Sequence, residues 1–214
     1  MTASVLAESG SIVGRYCSPW VFEYEEMIQR QDKEGIHYIS KEELISCCMQ
    51  ERVGIVGGKT IGTNGKVLQN GYICGKGGEV RTLFAGLPEK YKGYCRRAVL
   101  AQEVGAVSFA FAVIKKEAFD RVGGVDVTLP HPYLEMDFCR RLRKAGYAVV
   151  QASGVEAVVE KEPDYRSICG KVGSDVLPLT EAKKKLAKDV EESGSSYDPC
   201  YNPNFAESGK TFTL

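Results

Sequence analysis

Apolar and polar positions alternate between helical and strand periods along most of the chain. The first helix start is Ser40-Lys41-Glu42-Glu43, where a hydroxyl at the cap and a carboxylate three residues on satisfy two orphan amides reciprocally, and the pattern runs to about Gln50. Val53-Gly-Ile-Val-Gly-Gly-Lys59 reads as a short buried strand ending in glycines. Residues 67–74 read as a second strand after the turn Thr63-Asn64-Gly65, giving a hairpin or meander. Residues 75–100 are rich in Gly, Lys, Arg and Tyr without a sustained period, as in a long surface excursion. The run from Ala106 to Ile114 is apolar on both faces, which predicts a strand in the middle of the sheet.

Residues 115–122 carry Ala118, Phe119 and Val122 at helical spacing and stop at Gly123-Gly124, where a left-handed residue closes a helix without steric cost. A further helix is expected from about Glu135 to Ala145, with Phe138, Leu142 and Ala145 on one face and a basic last turn before Gly146. Residues 147–151 and 155–159 read as two short strands. Residues 180–192 read as a charged helix with Ala182, Leu186 and Val190 as its apolar stripe. The tail, residues 197–214, is polar and aromatic and reads as irregular chain. Strands and helices alternate throughout, so the fold class is α/β.

Composition narrows the function. The 214 residues are 43% hydrophobic and 26% charged, as in a folded globular protein. With 28 Lys+Arg against 28 Asp+Glu the formal net charge is zero, which argues against nucleic acid binding through a bulk basic field. No apolar run approaches the length that spans a bilayer, so no transmembrane segment is expected. Residues 1–14 lack the basic start and long apolar run of a signal peptide, and a cytoplasmic location is expected. The eight cysteines are scattered without CxxC pairs, which suits reduced, mostly buried thiols and gives no zinc spacing, with only His37 and His131 to add nitrogen ligands.

Four stretches in order carry a resemblance: Val53-Gly-Ile-Val-Gly-Gly-Lys59, Thr63-Asn-Gly-Lys66, Phe119-Asp-Arg-Val-Gly-Gly-Val-Asp126 and Glu135-Met-Asp-Phe-Cys-Arg-Arg-Leu-Arg-Lys-Ala-Gly-Tyr147. Together they resemble family 2 glycosyltransferases of the GT-A fold, from about Glu34 onward. The tail Tyr197-Asp-Pro-Cys-Tyr-Asn-Pro-Asn-Phe205 is similar to the end of bacterial members that build surface polysaccharides. The resemblance implies a truncated GT-A-like domain with a mixed central sheet flanked by helices. It also implies transfer of a sugar from a nucleotide-sugar donor to a saccharide acceptor, with Mg or Mn neutralising the departing diphosphate if the protein is active.

By the same resemblance Glu135 occupies the position of the general base, where the family usually has the aspartate of a Glu-Asp pair. Asp137 matches a family aspartate at the start of the same helix, where a carboxylate also fits the exposed amides and the dipole. His131, Tyr133 and Arg141 lie where acceptor-binding residues would sit, although a histidine beside a proline in a polar loop is commonly plain surface. The shallow cleft is expected at the start of the Glu135 helix.

Departures from the family gather on the donor side. Residues 35–40 match the expected strand yet run into the helix cap without an Asp-x-Asp, only about fifty residues precede Gly54, and Glu160-Lys161 stand where a metal-binding histidine often follows. No cofactor or metal ligand is evident. Two readings follow: a family 2 glycosyltransferase-like enzyme degenerate at its donor site, or a non-catalytic pseudoenzyme that binds a glycan or a partner glycosyltransferase, either another chain or a second copy. The expected organisation is one domain over 1–214, with a divergent segment 1–33, a core 34–196 and the irregular tail 197–214. Tyr91, Tyr94, Arg96 and Arg97 in the excursion could stack on and hydrogen-bond to a sugar ring, or anchor the loop. Lys183, Lys184 and Lys185, followed by Asp189, Glu191 and Glu192, read as a solvated helix face. Trp20 and Phe22 read as core anchors, and residues 75–78 lack the strand-loop-helix context of a phosphate cradle.

Overall fold

A computed structural model describes residues 5–6, 13–14, 41–159, 176–192, 198–202 and 204–205. The readings placed on Trp20, Phe22, residues 35–40 and Glu160-Lys161 fall outside them. Two short strands, β1 (Val5–Leu6) and β2 (Val13–Gly14), pair antiparallel. Helix α1 (Lys41–Met49) reverses at Gln50, whose carbonyl accepts from the Val53 amide at 3.0 Å. There follows β3 (Val53–Gly62), longer than the glycine-ended run suggested and buried at every position.

The sheet is mixed, as expected, but its centre is not where the apolar pattern put it. Strand β3 lies parallel to β9 (Ala148–Val159). The other edge of β3 takes β8 (Ala112–Ile114) and β4 (Val67–Gln69), both antiparallel, and β7 (Ala101–Glu103) borders β9 antiparallel. The order is β4-β3-β9-β7, with β8 on β3. The run 106–114 is therefore not a middle strand. Ala106 and Val107 are fully buried, but Ser108 Oγ then accepts from the Ala110 amide at 3.2 Å and caps a 3-10 turn over Phe109–Phe111 before the three residues of β8. A segment threaded through the core is apolar on every side whether or not it is a strand.

Residues 67–74 are likewise two strands. Gly71 takes a left-handed φ of 91° and turns the chain, so that β5 (Tyr72–Cys74) pairs with β6 (Val80–Thr82) instead of continuing β4. The excursion thus contains β6 and short 3-10 turns. Conversely, the two strands expected over 147–159 are one, because β9 absorbs an irregularity opposite Gly58 and Lys59 and continues.

Helices cover both faces of the β3–β9 pair. On one side Leu44 and Cys48 of α1 gather with Val53, Val56, Ala152 and Val155. On the other, α3 (Tyr133–Lys144) gathers its Phe138 and Leu142 with Ile55 and Val149. Outside α3 lies α4 (Leu179–Glu192), whose buried Ala182, Leu186 and Val190 are the stripe read from the sequence. The short α2 (Lys116–Arg121) ends where Gly123 and Gly124 adopt φ of 76° and 74°. Six cysteines are free among the described residues, and burial pushes the thiols of Cys48 and Cys74 up to about 11 and that of Cys139 up to about 12. No helix of the described residues is long and apolar enough to cross a membrane.

Candidate functional site

The candidate residues all lie on or just before α3, and the helix divides them between its two sides. It begins at Tyr133 rather than at Glu135, and Pro132 at its cap makes no side-chain bond to the first turn. Asp137 therefore sits inside the helix and is not its cap. One turn on, it meets Arg141 Nε at 2.9 Å. Arg141 also donates through Nη1 to the carbonyls of Val122 at 2.6 Å and Gly124 at 2.7 Å, clamping the glycine turn after α2 against α3.

Glu135 faces the other way. Its side chain is 0% exposed, so Glu135 itself opens onto no cleft. The carboxylate is held inside instead: Oε1 accepts from the Phe109 amide at 2.7 Å and from Ser108 Oγ at 3.3 Å. Oε2 lies 3.2 Å from Nε2 of His131, whose side chain is 26% exposed. The same Nε2 lies 3.1 Å from the Tyr72 hydroxyl, and the two rings meet edge to face. Tyr72 and Ser108 had no place in the sequence reading, because both stand in runs whose apolar neighbours set the pattern. Ser108 alone carried a signal, as a hydroxyl inside an otherwise apolar run.

Among the described residues a groove of about 330 Å³ lies between α3 and α4. It brings together three of the five residues singled out, Tyr133, Asp137 and Arg141, and leaves out Glu135 and His131. Leu129 and Leu186 supply apolar lining, Lys144 brings charge from the basic last turn of α3, and Lys185 and Asp189 bring charge that the sequence had assigned to a solvated face. Asp189 takes Lys144 Nζ at 2.7 Å and Arg140 Nε at 3.1 Å, and Lys185 crosses to Asp126 at 3.1 Å. The lining thus sets apolar side chains beside charged donors and acceptors that pair across and along the two helices.

These pairs set a pH dependence. For Asp189 burial works upward, but hydrogen bonds from Lys144 and Arg140 outweigh it and hold the carboxyl below its ordinary value. Asp126 is lowered in the same way, by Thr128 and Lys185 against burial. Such groups stabilise the fold above their ordinary value and lose that contribution as pH falls through the lowered one. Asp198 has the opposite sign. Burial raises it, although it accepts from the amides of Cys74 at 3.0 Å and Cys200 at 2.9 Å, so its contribution is present at low pH and lost as pH rises through the raised value. Urea midpoints followed downward from neutral pH are expected to hold or rise until Asp198 protonates, then to fall below about pH 4. Asp189→Asn should flatten that fall, and an unchanged acid limb in the variant would contradict the assignment.

Among the described residues no group of three or more His, Cys, Asp or Glu side chains is placed to hold a metal ion. The divalent cation that the resemblance implies for an active enzyme has no ligand set among them. Fold and groove together define an α/β protein with a mixed sheet and a surface site between its two long helices. No family model matches the chain. It is 29% identical over 179 residues to the uncharacterized protein y4gI of Sinorhizobium fredii (strain NBRC 101917 / NGR234), a match covering 80% of this chain and 19% of that protein. The chain spans about a fifth of the length of this curated relative.

Proposed function

We propose that the chain is a glycosyltransferase family 2-like module of cell-surface polysaccharide synthesis that binds a saccharide acceptor in the groove between α3 and α4 and performs no transfer by itself. The observation that carries this reading is the division of α3: Tyr133, Asp137 and Arg141 line the groove, while the Glu135 carboxylate is sealed inside. A general base must come within about 2.6–3.2 Å of the hydroxyl it deprotonates. A carboxylate without exposed surface, one of whose oxygens already accepts two hydrogen bonds, does not reach an acceptor. Within this reading the module works in the cytoplasm beside a catalytic glycosyltransferase, either another chain or a second copy.

A second reading rests on the contact of Glu135 with His131. A buried carboxylate behind an imidazole about a quarter exposed can hold that ring as a proton acceptor. The chain would then be a working transferase with His131 as base and Glu135 as its positioning residue.

Calorimetric titration of a neutral glycan panel, and of UDP and nucleotide-sugars with and without Mg or Mn, separates the two. Glycan binding that falls at least tenfold in Asp137→Ala, with the melting temperature nearly unchanged because a half-exposed i,i+4 pair contributes only about 0.5 kcal/mol, supports the binding module. Metal-dependent nucleotide-sugar binding, followed by transfer that is lost in His131→Ala, supports the enzyme instead. The absence of glycan binding at millimolar concentration would overturn the groove as an acceptor site.

A further inference from the structure

A second surface, remote in sequence from α3, is built for a ligand of different charge. Residues 83–100 carry four cations, Lys90, Lys92, Arg96 and Arg97, against the single carboxylate of Glu89, in a chain whose net charge is zero. Lys90, Lys92 and Arg96 are exposed. Among the described residues none of the three takes part in an ion pair. Between them stand Tyr91 and Tyr94, 46% and 52% exposed.

Each of these two tyrosines packs on a neighbouring ring. Tyr91 leans on Phe84, with ring centroids 6.4 Å apart, and Tyr94 meets Phe205 edge to face at 5.1 Å. The backbone between them is held by hydrogen bonds. Cys95 and Arg96 adopt left-handed φ of 47° and 61°, in a turn closed by the Arg97 amide on the Tyr94 carbonyl at 3.0 Å and the Ala98 amide on the Lys92 carbonyl at 3.1 Å. Non-glycine residues hold such conformations only where their surroundings impose them, and binding surfaces are where that strain concentrates. Buried Leu83, Phe84 and Ala98 tie the ends of the loop to the core.

We propose that this loop is a binding site for an acidic saccharide, its tyrosines offering stacking surface to sugar rings while Lys90, Lys92 and Arg96 pair with the carboxylates those rings carry. Rigid aromatic rings with polar tips give contact area at low entropic cost. Unpaired cations beside them select for a negative ligand. Three cations in a neutral chain are too few to hold a nucleic acid, whose binding draws on many phosphate contacts. The site is distinct from the α3–α4 groove and does not rest on the function proposed for that groove.

The test titrates the full chain with a galacturonate oligomer, a neutral galactose oligomer, poly-glutamate and a single-stranded oligonucleotide. The galacturonate oligomer is expected to bind at least tenfold more tightly than the other three. Joint replacement Lys90→Ala, Lys92→Ala and Arg96→Ala should lower that affinity at least tenfold, as should Tyr91→Ala with Tyr94→Ala. Tyr91→Phe with Tyr94→Phe, which keeps the rings, should retain most of it. Equal binding of poly-glutamate or the oligonucleotide would mean a site for bare negative charge and overturn the proposal. So would indifference to the tyrosine pair in variants that melt as the parent does, or a neutral oligomer that binds equally and loses as much affinity to the triple replacement.

Discussion

Gly78→Ala is expected to loosen α4 from the molecule and to cost the fold on the order of 3 kcal/mol. Gly78 closes the 3-10 turn Lys76–Gly78 with a φ of 74°. A Cβ there would meet the Lys183 carbonyl oxygen at 2.4 Å and the Ala187 amide nitrogen at 2.8 Å. Both neighbours are helix backbone, which cannot swing aside as a side chain can, so the turn or the whole helix must move. Melting should fall by about 10 °C at this chain length. Ligand binding in the α3–α4 groove should go with it, because α4 supplies Ala182, Lys185, Leu186 and Asp189 to that wall. Gly77→Ala is the control: it shares a left-handed φ of 68° but meets nothing within 4 Å, and should lose only about 1 kcal/mol. Equal melting of the two variants would show that the turn does not seat α4 as described.

Glu135→Ala should be nearly as damaging, at about 3 kcal/mol, since it leaves the part-buried Phe109 amide without its acceptor and opens a void where the fully buried side chain stood. Glu135→Gln keeps the shape and one acceptor oxygen and should stay within about 1 kcal/mol of the parent. The pair of variants separates anchoring from chemistry. Under the binding-module reading Glu135→Gln binds glycan as the parent does. Loss of a demonstrated transfer activity in a Glu135→Gln protein of unchanged melting temperature would favour the enzyme. A harmless Glu135→Ala would contradict the anchoring role itself.

Helices were the legible part of this sequence. The stripe of Ala182, Leu186 and Val190 and the paired glycines after α2 are local signals, complete within a turn or two, and the structure has both where the pattern put them. Strand order was not legible, because an apolar run states that it is buried and not what lies beside it. Residues 106–114 show the limit: the run passes beneath α3 and contributes only three residues to the sheet. The glycines of residues 75–78 suggested a cradle lacking its context, whereas Gly78 is needed for the close approach of α4. Of the candidate site, Tyr133, Asp137 and Arg141 fall at a spacing that puts them on one face of a helix, and they do share the groove. The inward turn of Glu135 depends on Ser108 and the Phe109 amide, whose nearness to α3 is a tertiary fact that no local pattern records.

The pairing of β3 with β9 also bears on how the molecule assembles. Val53 finds Ala148 only after everything from β4 through α3 has been made, and a pairing across so long a stretch closes slowly because its entropy is spent before any contact repays it. During synthesis at roughly 5–20 residues per second, β3 emerges well before its parallel partner and waits with one edge unfilled, able to hold only the antiparallel β4 and β8. That interval is when a ten-residue strand destined to be buried at every position is most exposed to pairing with another nascent chain. Yield in a cell should therefore respond to the speed of translation between β8 and β9 more than to the final stability of the sheet.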